Sequence, residues 1–539
     1  MSAPRTTAGP CTPRGTTPSC RANIARRSAD RLTTLRLTGH DLTIADVVSV
    51  ARRDVAVGLD RAAERQVQQA ARVVAEIAEQ DDAVYGVNTG FGDLAAVRVP
   101  HEQLRALQRN LVRSHAVGVG PLLPEESVRA VLLLRANTLA AGRSGVRAEV
   151  IDLLCDMLNR RVHPAIPMHG SVGASGDLAP LAHAALVLMR EGETVANGVR
   201  RAGGDALKAA GLKRIELQPK EGVALINGTQ VMTAIGCLAL HDGEVLAASA
   251  DVVGAMSAEA LRSTDRAWDE ELHATRPHPG QQAVAANLRA LMAGSPNVAS
   301  HRRGDPRVQD PYSVRCMPQV HGATRDALAY VRRVLEIEIN SVTDNPIVFA
   351  EDRRVVSGGN FHGQPVAIAL DLAAIALTEL ADISEARVDR LTNGHTSGLP
   401  PFLTPDAGTN SGFMVAQYTA AALLAEDRLR AVPASVQSIP TSAGMEDHVS
   451  MGVHAAHKVA EIARNTRDVL AIEALCAAQG LDLLTATTAP GVEEARRVVR
   501  ERSPRLEDDR TLAPDIAAVG DAIAREVLLA AVRRVIELA

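Results

Sequence analysis

The chain has 539 residues, 46 % hydrophobic and 22 % charged, a balance that excludes a disordered chain and exceeds what one ordinary core can organise. A formal charge of −5 excludes the strongly basic surface that nucleic acid or an anionic membrane would call for, so neither is expected as a partner. Only 2 % of residues are aromatic, so Ala, Leu, Val and Ile must fill the interior, which suits close-packed helices better than a β-sandwich.

Residues 1–35 are rich in Pro, Thr, Ser and Arg, and the first acidic residue is Asp30. The segment has no apolar stretch of the secretory type and is expected to be a disordered tail; its Arg-rich composition leaves a transit peptide and an early start codon open. A second region, 36–225, begins near "LTGHDLTIADVVSVARR". It reads as helical from Val67 to Arg160, broken by the glycine-rich "YGVNTGFGDL" from Tyr85 to Leu94. In the central region, 226–480, Leu328, Val331, Val334, Leu335 and Ile339 recur at three and four residues, one apolar helix face. Long helices are expected over Pro365–Leu391, Phe413–Arg430 and His454–Ala478, separated by the loops "SGGNFHGQP", "NGHTSGLPP" and "SIPTSAGMEDH". The apolar stretch "PVAIALDLAAIALTELADISEA" carries Asp371, Glu379 and Asp382, so it reads as a buried bundle helix and not a membrane span. Residues 481–539 form a C-terminal helical region with a solvated charged segment, "RRVVRERSPRLEDDR". The expected fold is mainly α: a long central helical bundle with a loop-rich N-terminal region that carries the active site.

Six cysteines without a CxxC pair point to a reduced, cytoplasmic compartment with no disulfide framework and no structural zinc. His448, His454 and His457 lie close together, but no HExxH or Cys partner accompanies them, and no metal is expected.

The most unusual stretch is "GSVGASGDLAP", Gly170 to Pro180. It lacks the second glycine of a G-x-S-x-G elbow, because Asp177 stands there. It also lacks the Lys-Ser/Thr pair of a P-loop and the βαβ flanks of a dinucleotide fingerprint. Taken alone, it is a glycine-rich turn into a helix, with Asp177 at the N-cap and Pro180 in the first turn.

Ala174-Ser175-Gly176 in this setting resembles the signature of the aromatic amino acid lyases, the family of histidine, phenylalanine and tyrosine ammonia-lyases and related aminomutases. The resemblance runs from about Leu37 to about Asp515 through "YGVNTGFG", "LVRSHAVGVGP", "KEGVALINGTQ", "VQDPYSVRCMPQV", "TDNP", "SGGNFHGQPVA", "SGLPPFL", "NSGFMVAQ" and "EDHVSMG", in the family's order. It implies a fumarase/aspartase-like architecture, although the GSSxMPxKxNP loop of those relatives is absent. It also implies that Ala174, Ser175 and Gly176 cyclise and lose water to give 4-methylidene-imidazol-5-one (MIO), an electrophile that no ordinary side chain supplies, with no external cofactor.

The resemblance further implies roles. Tyr85 stands at the general-base position, with Tyr312 as a second catalytic tyrosine. Arg315 matches the clamp on the substrate carboxylate, a role suited to a guanidinium fork, and Gln309 lies beside it. Asn227 matches a polar contact to the prosthetic group or substrate, and Phe361 a residue lining the pocket. His115 stands where histidine and tyrosine lyases carry His and phenylalanine lyases usually an apolar residue, and Glu446 matches the acidic residue of histidine lyases; a carboxylate can accept a hydrogen bond from imidazole, whereas a phenyl ring would leave it unpaired. Together they favour L-histidine, giving trans-urocanate and ammonia, the opening step of histidine degradation. Met445 and Gln364 depart from the usual histidine-specific pattern, so a tyrosine ammonia-lyase or an aminomutase stays open. A non-catalytic helical scaffold is disfavoured by the intact tripeptide, Tyr85 and Arg315. The family pattern is a homotetramer in which several subunits build each site.

Overall fold

A computed structural model of the chain describes residues 34–80, 84, 86–90, 97–300 and 307–539. Most of the expected tail, and Tyr85, lie outside the described residues.

Six helices organise the site: α1 (Leu178–Leu188), α2 (Gln230–Ala260), α3 (Met317–Glu338), α4 (Gln364–Thr392), α5 (Met414–Arg430) and α6 (Gly452–Asp482). The three expected long helices appear as α4, α5 and α6 with ends moved by a few residues; the apolar face of α3 buries Leu328, Val331 and Leu335, with Val334 half-buried and Ile339 buried just past its end. Among the described residues the principal core cluster runs from Leu37 to Val532 through all six helices. The boundary expected at 225/226 falls at the end of the short helix Glu221–Ile226, and that at 480/481 within the last turn of α6.

Two features were not evident from periodicity. The helical pattern from Val67 to Arg160 is interrupted by a strand, Val119–Leu122, which pairs antiparallel with Pro167–His169 just before the glycine-rich stretch. It is one of four two-stranded sheets among the described residues. Strands of three or four residues are too short for two-residue alternation to announce them. In addition, the centre of the bundle is α2. It is long and apolar enough to cross a membrane, but it is buried on nearly all sides, as a core helix is.

α2 can be buried all round because it is rich in Ala, Gly and Ser, which let neighbouring helices approach closely. A Cβ at Gly236 would stand 2.8 Å from a Leu370 methyl of α4. α6 packs most extensively on α4 and α2, and α3 on α4.

Polar groups inside this bundle are paired across helices. Arg387 of α4 and Glu473 of α6, both fully buried, form a two-bond ion pair at 2.5 and 2.9 Å. The hydroxyls of Ser257 (α2) and Ser384 (α4) each donate to Glu473 at 2.6 Å. The other arm of Arg387 donates to the Ser313 carbonyl at 3.2 Å. The bundle's charge network therefore braces the short helix Tyr312–Arg315.

Candidate active site

The tripeptide lies between the strand Pro167–His169 and α1. Ser175 has φ of 51°, a left-handed conformation that side chains rarely adopt, and Gly173 and Gly176 flank it at +82° and +80°. Gly173 and Gly176 pair across the turn, the Gly176 N–H donating to the Gly173 carbonyl at 3.4 Å. Gly176 also pairs with Gly228, and the Asp177 N–H donates to the Gly228 carbonyl at 2.7 Å. A Cβ at Gly176 would stand 2.2 Å from that carbonyl oxygen, which is backbone and cannot yield. Only glycine fits, for both space and φ. The Ser171 hydroxyl accepts from the Gly173 N–H at 3.0 Å and donates to the Gly176 carbonyl at 3.2 Å, bracing the turn from beneath.

Asp177 behaves differently from the expectation. It occupies the N-cap position of α1 but makes no side-chain capping bond there. Its carboxylate instead accepts the Val231 and Met232 N–H groups of α2 at 2.8 and 2.9 Å, capping a helix that begins more than fifty residues later. Burial pushes this carboxyl up to about 7, against the pull of those amides and of Ser171. The physical reason is that α1 and α2 start side by side, and the first turn of α2 has free N–H groups within reach.

Two further helix starts meet here. The Met451 N–H at the start of α6 donates to the Val172 carbonyl at 2.9 Å. Cβ atoms built at Gly363, before α4, and at Gly452, opening α6, both fall against Met232 and Ser450. The positive ends of α1, α2, α4 and α6 thus converge around the tripeptide, an environment that favours developing negative charge.

Three predicted residues are brought together by direct bonds. Asn227, itself buried, donates from Nδ2 to the Ser175 carbonyl at 2.9 Å. The Ser175 hydroxyl donates to Glu446 Oε1 at 3.0 Å. Phe361 is half-buried in the loop before α4. Its neighbour His362 lies parallel to His448, ring centres 5.9 Å apart, with a 3.1 Å contact to the His448 carbonyl that ties the Phe361 loop to the Glu446 loop. His457 contacts the Met168 carbonyl at 3.0 Å.

Among the described residues, His115, Arg315, Tyr312 and Gln309 make no bond to that cluster. His115 ends the helix Leu104–His115, its Nδ1 2.8 Å from the Leu111 carbonyl. Arg315 stacks over Tyr312, its guanidinium carbon 4.6 Å from the ring centre, and its Nε is buried without a partner. Tyr312 is 71 % exposed and Gln309 is also exposed, whereas Arg315 is half-buried beneath the Tyr312 ring.

Two residues that sequence reasoning missed support the cluster. Arg135, fully buried on the helix Glu125–Ala140, donates at 2.7 Å to both the Asn227 carbonyl and Gln230 Oε1. Burial lowers its guanidinium to about 10. Nothing in "LLLRANTLA" distinguishes an interior arginine from a surface one. Thr441 donates its hydroxyl to Glu446 Oε2 at 2.7 Å; its place at the start of a tight turn in "PTSAGME" was the available signal.

The tripeptide passes a test of fit to an internal cross-link. The turn is already folded back on itself, its third residue can only be glycine, and Ser175 carries a polar partner on its hydroxyl and another on its carbonyl. Such a site can hold an electrophile on a rigid loop, beside a carboxylate and an amide, in a field of helix N-termini.

Comparison with known proteins follows the same lines. The family model for aromatic amino acid lyase matches residues 42–501. The chain is 54 % identical to a histidine ammonia-lyase of Sorangium cellulosum over 93 % of this chain and 99 % of that protein. The solved histidine ammonia-lyase of Trypanosoma cruzi aligns with a TM-score of 0.86 at 41 % identity, over 93 % of this chain and 95 % of that one. A tyrosine aminomutase of Streptomyces globisporus aligns with a TM-score of 0.89 at 39 % identity, over 94 % and 100 %.

Proposed function

The chain belongs to the aromatic amino acid lyase family, and from that premise we propose that it eliminates ammonia from L-histidine to give trans-urocanate. The observation that carries the reading is Glu446, whose carboxylate stands 3.0 Å from the Ser175 hydroxyl, an acceptor that an imidazole N–H can use and that a plain phenyl ring would leave unpaired. Identity of 50–54 % to several bacterial histidine ammonia-lyases over most of the chain supports the same substrate.

Cyclised Ala174-Ser175-Gly176 would supply the electrophile that turns a poor amine leaving group into a good one. Asn227 holds the Ser175 carbonyl at one edge of that tripeptide, and the converging helix N-termini stabilise negative charge as it develops. Glu446 receives the imidazole N–H or exchanges a proton with substrate at its Oε1. Phe361 and His115 line the ring side, and Tyr85 removes the β-proton. Arg315 clamps the carboxylate in the two-bond geometry that a guanidinium favours, with Tyr312 and Gln309 beside it.

Because Tyr312 and Gln309 are exposed and Arg315 stacks against the exposed Tyr312 ring, we assign the three to the site of a neighbouring copy in a homotetramer. Exposed apolar side chains include Val415, Tyr418 and Leu429 of α5 with Val432, Val436 and Ile439 after it, all at least half exposed, a stretch suited to burial between copies. A cytoplasmic location and an intracellular pool of histidine fit this activity.

Purified protein given histidine, tyrosine and phenylalanine separately is expected to release ammonia and an ultraviolet-absorbing acid from histidine in strong preference. Glu446→Gln is expected to lower histidine turnover by roughly ten- to a hundredfold, the loss of one part-buried charge-assisted contact of ~1.5–3 kcal/mol. Wild-type preference for tyrosine, or full histidine turnover by Glu446→Gln, would replace this reading with a tyrosine ammonia-lyase or aminomutase.

A further inference from the structure

We propose that Thr441 is a positioning residue for Glu446, holding that carboxylate in its working orientation once the Ser175 hydroxyl has gone; the proposal rests on the role given to Glu446 above. Glu446 has two side-chain partners among the described residues: Ser175 at Oε1 (3.0 Å) and Thr441 at Oε2 (2.7 Å). Dehydration of the tripeptide removes the first. No ion pair reaches Glu446 among the described residues, so the Thr441 hydroxyl is then its remaining side-chain anchor.

The loop is built to hold that one bond. The Thr441 N–H donates to the Glu446 carbonyl at 3.0 Å, and the Glu446 N–H returns to the Thr441 carbonyl at 3.3 Å. These bonds close a turn in which Ser442 and Ala443 sit at φ of 51° and 53°, strained for residues with side chains. The Gly444 N–H also donates to the Thr441 carbonyl at 3.0 Å. A strained turn persists only where its surroundings over-determine it. Here the turn sets Thr441 and Glu446 opposite each other, so that one hydroxyl spans the gap between their side chains.

The chemistry of the anchor matters. An arginine would orient a carboxylate as well, but its charge would strip the carboxylate of proton affinity. A neutral hydroxyl fixes the rotamer and occupies only Oε2. Oε1 stays free to face the substrate and to accept or return a proton. Thr441 touches no reacting atom; it acts through Glu446.

The test compares Thr441→Val, which keeps the shape and loses the hydroxyl, with Thr441→Ser, which keeps the hydroxyl. Thr441→Val is expected to lower kcat about tenfold with KM changed less than about twofold, the scale of one lost hydrogen bond to a charged group. Thr441→Ser is expected to stay near wild type. Both should show the full two-water mass loss on the peptide that contains Ser175. In a Glu446→Ala background, Thr441→Val is expected to cost nothing further, since there is nothing left to orient. Wild-type kcat in Thr441→Val overturns the proposal, as does an equal fall in Thr441→Ser. An additive loss in the double variant, or incomplete water loss in Thr441→Val, does the same. Rates are read with whichever aromatic amino acid the wild type consumes. A failed histidine assignment therefore changes the substrate used and leaves the Val-to-Ser comparison intact.

Discussion

Ser175→Ala is expected to fold into the same bundle and to lose ammonia elimination by about a thousandfold or more, equivalent to at least ~4 kcal/mol of transition-state stabilisation. The variant keeps the turn, because alanine tolerates the φ of 51° at Ser175 no worse than serine does. It keeps the Asn227 bond to the backbone carbonyl of residue 175. What it loses is the hydroxyl whose departure would create the proposed carbon–carbon double bond. Mass analysis of the peptide from Gly170 to Pro180 should show the wild type lighter by two waters and the variant without the loss that dehydration of Ser175 causes. A wild-type peptide of unmodified mass in active protein would remove the electrophile from the mechanism altogether.

The second large effect is on stability. Glu473→Gln is expected to destabilise the chain by ~3–5 kcal/mol, because it leaves the Arg387 guanidinium buried without its counter-charge. Both side chains are fully buried, and Glu473 also accepts the Ser257 and Ser384 hydroxyls. One substitution thereby disturbs contacts among α2, α4 and α6. Replacing both partners by apolar residues, Arg387→Met with Glu473→Leu, is expected to be far milder, since no charge is stranded. Unfolding in urea, followed by the helical signal, separates the two outcomes; equal loss in the single and double variants would show that packing and not charge dominates. The site should feel the change as well. Arg387 donates to the Ser313 carbonyl in the short helix that carries Tyr312 and Arg315, so the single variant should weaken substrate binding at temperatures where the bundle is still folded.

The sequence by itself determined the local chemistry. Apolar spacing in α3 through α6 was sufficient to place the long helices, because helix formation there depends on residues three and four apart. The run Gly173 to Gly176 declared a backbone that only small residues can adopt, and Ala174-Ser175-Gly176, Asn227 and Glu446 were legible as motif positions. Tertiary structure alone decided how these pieces meet. Asp177 reads as the cap of the helix it precedes, yet it caps α2, because two helices begin side by side. Ser175 and Glu446 bond across 271 residues, and Arg135 reaches Asn227 across 92. No local pattern encodes such pairs; each depends on which helix ends the bundle packs together. Tyr312, 71 % exposed, has few partners in its own core, and the contacts of such a side chain depend on what packs against it. Periodicity reports which face of a helix is buried, whereas the partner buried against it is set by the packing of the whole chain.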